Sequence, residues 1–208
     1  FAAQANSVPI GAEEFFEVQA HYPIVFSAAE PVTAIAVLGL EQNRNLFVDG
    51  AGRWKMGAYV PAYVRRYPFV FIAVGDGNFV LGIDEGAENF RRDGGEPLFD
   101  GGEPTAAAKR ALEFCSAFQA QDNISREFAA ALKAHDLLTP HRADFRSFGD
   151  AASLSLTGFT TIDEQRFAAL PDEVFLDWRR RNWLGLVYAH LLSQRRWNDL
   201  AALVKPAN

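Results

Sequence analysis

The stretch GRWKMGAYVPAYVRRYPFVFI runs from Gly52 to Ile72 and joins three kinds of signal. Pro61 suits the first turn of a helix, because its missing N–H has no partner to lose there. Pro68 ends that helix at or before Tyr67. Two turns, AYVRRY, are expected between them, with Tyr63 and Tyr67 on one face and Val60 and Val64 on the next. FVFIAV (Phe69–Val74) follows as a strand without alternation, so both of its faces are expected to be buried. Gly75-Asp76-Gly77-Asn78 is a turn signal and FVLGID (Phe79–Asp84) returns, which predicts a β-hairpin.

Working outward towards the N-terminus, YPIVFS (Tyr22–Ser27), TAIAVLGL (Thr33–Leu40) and NLFVD (Asn45–Asp49) are short runs rich in Val, Ile and Phe, bounded by Gly, Asn and Pro. Each is expected to be a strand. On the other side, residues 85–103 form a long Gly, Asp, Glu and Arg-rich loop. Beyond it the chain turns mainly helical. Thr105–Gln121 places Ala111, Phe114, Cys115 and Phe118 on one face, and Ser125–Leu138 groups Phe128, Ala131, Leu132 and His135. ADFRSF and SLSLTGFTTI are expected as two more strands joined near Gly149-Asp150. Thr161-Ile162-Asp163-Glu164 matches a capping box that would open a helix, Pro171-Asp172 restarts it, and Asn182–Gln194 and Trp197–Val204 complete the end. The expected fold is α+β in a single 208-residue domain: β-rich over 8–84, a loop over 85–103, and mainly helical over 104–208. An antiparallel sheet or partial β-barrel from the N-terminal half packs against the C-terminal helices.

Composition narrows the function classes. The net charge of −6 argues against a nucleic-acid surface, which needs a clustered basic excess. The basic clusters, Arg65-Arg66, Arg91-Arg92, Arg179-Arg180-Arg181 and Arg195-Arg196, are short and flanked by acids or aromatics. No run of about 18 apolar residues exists, so no membrane span is expected. The single cysteine, Cys115, allows no intrachain disulfide, which fits a reducing cytoplasm. The chain begins at Phe1 rather than Met, so a processed start, and with it the periplasm or cell surface, stays open.

No chemical motif stands out. His135 and His141 lack a metal-ligand pattern, G-x-S-x-G is absent, and VGDGNFVLG leads into a strand where a phosphate loop would open a helix. The acids from Asp84 to Glu103 read as a solvated loop, with no EF-hand order. Cys115, on an apolar stripe, reads as a small buried hydrophobe. No metal and no cofactor is expected. The strongest binding candidates are Tyr59, Tyr63, Arg65, Arg66 and Tyr67, because guanidinium groups grip carboxylates and aromatic rings cover apolar bodies. That pattern suits a non-catalytic binding or accessory protein for a peptide, an amino-acid-like ligand or a partner protein, with oligomerisation left open. The alternative is an enzyme built on a histidine and a carboxylate, with His21, His190 and Asp84 as its candidates.

HYPIVFS, VLGL, NLFVDGAGRW, AYVPAYVRRYPFVF, LGIDE, GEPLFDGGEPT, LTGFTTIDEQRFAALPDE and GLVYAHLLSQ, in this order, resemble the bacterial SapC-like family from about Val8 to Leu203. YVPAYVRRYPF is the most specific of these strings. The family name comes from a surface-layer association, and its members often lie near tryptophan-halogenase-like proteins and TonB-dependent receptors. The resemblance implies an accessory role in nutrient uptake or in modifying a small molecule or peptide. It carries over no catalytic residue.

Overall fold

In the computed structural model, residues 1–75, 78–91, 93–146 and 153–204 are described. The elements are β1 (Ser7–Pro9), α1 (Phe15–Val18), β2 (Ile24–Ser27), β3 (Ala34–Val37), α2 (Ala62–Arg65), β4 (Phe69–Gly75), β5 (Asn78–Ile83), β6 (Phe99–Asp100), β7 (Glu103–Pro104), α3 (Ala106–Ala134), β8 (Leu138–Arg146), β9 (Ser153–Ile162), α4 (Glu164–Ala168), α5 (Asp172–Arg180), α6 (Trp183–Ser193) and α7 (Arg196–Leu203). The fold is α+β, as the sequence pattern requires.

Five antiparallel strands form an open sheet in the order β1-β3-β2-β9-β8. Two of the five come from the second half of the chain. The register Phe26↔Thr160 and Ser27↔Phe159 joins the halves at the sheet centre. The sheet therefore belongs less to the N-terminal half than its strand-rich sequence suggests. The helices cover one face, and Trp178, Phe128 and Trp183 pack edge to face beneath them. Such tilted aromatic packing combines large apolar burial with favourable ring geometry.

The C-terminal end of α6 stitches the layers together. The Ser193 hydroxyl accepts from Ile24 N–H at 2.9 Å and donates to the His190 carbonyl at 2.6 Å. The Gln194 amide donates to Ile24 C=O at 2.8 Å. Together these satisfy backbone groups of β2 that burial would otherwise leave costly.

Several expectations need correction. NLFVD is not a strand: among the described residues its only ladder contact is the isolated bridge Val48↔Trp54. The chain folds back tightly here, and a Cβ at Gly39 would stand 1.9 Å from the Arg44 carbonyl oxygen. Phe47 is buried edge-on against Tyr22 at 4.6 Å instead of joining a ladder. The two expected helices across residues 105–138 are one helix, α3. Ser125 bridges the would-be break, donating to Gln121 C=O and accepting from Ala12 N–H, both at 2.8 Å. Packing here outweighs the few tenths of a kcal/mol that polar residues cost a helix. Helix α4 is capped by Asp163, whose carboxylate accepts from Gln165 and Arg166 N–H at 3.0 Å, rather than by Thr161.

The hairpin β4–β5 forms, but as a sheet of its own. Its strands are not buried on both faces: Ile72 is 51% and Val74 58% exposed. β4 packs on α3 near its base, and from Ile72 to Gly75 it is exposed on both faces. Part of the expected turn, Asp76-Gly77, and the Gly149-Asp150 junction lie outside the described residues.

Candidate functional site

The site begins with a buried carboxylate. Glu14 is 3% exposed, at the junction of a short 3-10 turn and α1. Its Oε1 accepts from Ala62 N–H at 2.6 Å and from the Tyr59 hydroxyl at 3.0 Å. Its Oε2 accepts from Gly11 N–H at 2.9 Å. These bonds anchor α2, because Ala62 N–H is one of the free donors of its first turn. Burial and the neighbouring Glu14 carboxylate push the Tyr59 hydroxyl up to about 12, so it remains a donor. The Tyr22 hydroxyl donates to Tyr59 C=O and accepts from Trp54 Nε1 at 3.1 Å, which holds the segment from behind. Burial is the main cause that raises the pKa of Tyr22 as well.

Two guanidinium groups leave α2 towards α3. Arg65 lies between the Tyr59 ring (5.4 Å) and the Phe114 ring (5.3 Å). Its Nε donates to Val60 C=O at 3.0 Å and its Nη2 to the Tyr59 hydroxyl at 2.9 Å. Arg66 lies between the Tyr63 ring (4.4 Å) and the Phe118 ring (4.9 Å). Phe114 and Phe118 are one helical turn apart, so the two arginines slot into α3 side by side. Arg66 has no hydrogen-bond acceptor and no carboxylate partner among the described residues.

Both arginines open onto a groove of about 1340 Å³. Phe114 and Cys115 of α3 form its floor, Phe69 and Ile83 close the hairpin side, and Phe90 and Leu98 stand on the loop wall. On that wall Glu96 is held by Arg110 through two bonds of 2.8 and 3.1 Å. Cys115 is buried, and burial pushes its thiol up, which makes it an apolar floor residue rather than a nucleophile.

The chain belongs to the SapC family. The family model described as SapC matches residues 1–200. No curated protein and no solved structure matches the chain. Within this SapC fold, YVPAYVRRYPF is the segment that carries Tyr59 and both stacked arginines, and it forms the head of the groove.

Arg65, Arg66 and Tyr67 line the groove, whereas Tyr59 and Tyr63 sit behind it, each under a guanidinium. The tyrosines thus back the arginines, and the apolar wall comes from phenylalanines. Tyr67 donates to Asp84 Oδ2 at 3.0 Å and packs on Phe1 at 4.6 Å. Burial and the Asp84 carboxylate raise its pKa. Glu14 was not legible as part of the site. Phe114 and Phe118 were visible as a helix face, but nothing in one dimension pairs them with Arg65 and Arg66.

The histidine and carboxylate alternatives do not meet. His190 is fully buried under the sheet beside Phe26, with Nε2 accepting from Ile162 N–H at 3.0 Å. Desolvation lowers its pKa to about 3, so the ring is neutral and structural. His21 lies against Tyr22 in a separate recess with Lys55 and Asp199. Asp84 accepts from Tyr67 and from Gly86 N–H at the base of the hairpin. None of the three hydrogen-bonds to another among the described residues. No group of three or more His, Cys, Asp or Glu side chains converges as a metal set among the described residues. No described helix is long and apolar enough to cross a membrane.

Proposed function

We propose that this SapC-family chain is a binding or accessory protein whose groove recognises a carboxylate on an otherwise apolar, amino-acid-like or peptide ligand. The observation that carries this reading is the Arg66 guanidinium, held between two aromatic rings with no acid to neutralise it among the described residues. With two rings packed against the guanidinium, its N–H edge is the part left to meet a ligand. That edge is a fork of parallel donors, which matches the two oxygens of a carboxylate. Arg65 stands beside it with its orientation set through Tyr59 and Glu14. The ligand body would lie on Phe114, Phe69 and Phe90.

Isothermal titration with N-acetylphenylalanine and with its amide tests the reading. The acid is expected to bind and the amide to bind at least about tenfold more weakly, the scale of losing a charged hydrogen-bond pair. Arg66→Lys keeps the charge but removes the fork, and should weaken the acid selectively while circular dichroism stays unchanged. Equal affinity for acid and amide, or indifference to Arg66→Lys in a folded variant, would overturn it.

A further inference from the structure

Resting on that reading, we infer that the ligand is the C-terminal end of an extended peptide about four residues long, rather than a single amino acid. Three observations bear on this. The groove volume of about 1340 Å³ exceeds the roughly 300–1000 Å³ that holds a compact small molecule. The groove is elongated: its floor follows α3 from Ala107 to Cys115, roughly 12 Å at the rise of a helix. At about 3.3 Å per extended residue, that length takes about four residues.

The third observation is where the charge lies. Arg65 and Arg66 sit at the Cys115 end of the floor, and the acids of the groove, Glu88, Asp93 and Glu96, are on the facing loop wall. Two more arginines line the groove, but Arg110 is paired with Glu96 and Arg91 shares the loop wall with Glu88 and Asp93, so a terminal carboxylate is best met by Arg65 and Arg66, both already oriented by their stacking. The remaining floor is Ala107, Ala111 and Phe114, with Arg110 drawn off to Glu96 and Leu98 and Phe99 on the loop side. Small alanines next to large rings leave room for alternate side chains of an extended chain, and the apolar stretch of the floor favours Ala, Leu and Phe on the side that faces it. Phe99, 63% exposed, adds an apolar side chain to the loop side of the groove.

The experiment uses fluorescein-labelled tetrapeptide pools randomised over Ala, Ser, Leu and Phe, one pool with free C-termini and one amidated, read by fluorescence polarisation. N-acetylphenylalanine serves as the single-residue competitor. The free-acid pool is expected to bind at least tenfold more tightly than the amidated pool and than N-acetylphenylalanine. Ala107→Trp fills the far end without touching either arginine. It should weaken the pool several-fold and leave N-acetylphenylalanine unchanged. If the pool binds no better than N-acetylphenylalanine, or Ala107→Trp changes nothing, the peptide inference falls and the carboxylate site stands. If neither acid binds better than its amide, the reading of the groove falls with it.

Discussion

The two sides of this molecule treat the same kinds of residue in opposite ways. On the sheet side, apolar strands are sealed: Ile24, Phe26 and Ala36 have no exposed surface, and a histidine among them is stripped of water. On the groove side, an equally apolar hairpin stands half open, with Ile72, Val74, Phe79 and Val80 all exposed. The edges differ too. One edge of the main sheet, β8, carries Pro140, Arg142 and Asp144, the usual guards against unwanted pairing. The hairpin carries no charge and no proline within 69–75 or 78–83. One side is built for stability, and the other is a wall whose inner face borders a groove.

The comparison breaks first if the sheet side does not dominate stability. Trp178, 2% exposed and wedged among Phe128, Trp183 and Phe167, should cost about 3–5 kcal/mol as Trp178→Ala in urea unfolding. A loss under 1 kcal/mol would mean the aromatic cluster is not the core.

His190 sharpens it next. Its folded pKa of about 3 lies below the ordinary 6.5, so the unfolded chain binds the proton more readily. Stability is therefore full above about pH 6.5 and falls as pH drops towards 3, by several kcal/mol at the limit. His190→Gln should flatten this acid limb in denaturation series at pH 4, 5, 6 and 7. An unchanged slope would place the acid sensitivity elsewhere.

Glu14 links the two sides. Glu14→Ala strands the Ala62 and Gly11 N–H groups and frees Tyr59, and should cost about 2–3 kcal/mol. It should also lower affinity for N-acetylphenylalanine, because the Tyr59 hydroxyl that orients Arg65 loses its own anchor. Lost stability with unaltered affinity would separate the carboxylate from the groove.

The smallest effect belongs to the hairpin. Val80 is 48% exposed on the hairpin, so Val80→Lys should change urea stability by about 0.5 kcal/mol or less. A large loss would show that the hairpin face is covered after all.

Much of this was legible in one dimension. The prolines at 61 and 68 bracket α2, the turn residues after Val74 announce the hairpin, and the Phe114/Phe118 spacing marks a helix face. These features depend on neighbours a few residues away. What failed depended on distant partners. FVFIAV has the composition of a strand buried on both faces, yet exposure is set by what stacks on it, and packing on α3 leaves Ile72, Ala73 and Val74 exposed. The break expected near Gln121 vanished because Ser125 met Ala12, 113 residues earlier. Asp163 outcompeted Thr161 as cap because β9 continues through Ile162.

By itself the sequence determined the α+β class, the SapC membership and the segment that heads the site, since local pattern and a long ordered match both reside in the chain. Only the tertiary structure decided that β2 and β9 unite the halves and that His21, His190 and Asp84 stay apart. It alone brings Arg65 and Arg66 against the Phe114 and Phe118 rings of α3, about 50 residues away. The physical reason is that a guanidinium, a carboxylate or a ring acts through what surrounds it within a few ångströms. Residue order does not encode those surroundings until the chain has packed.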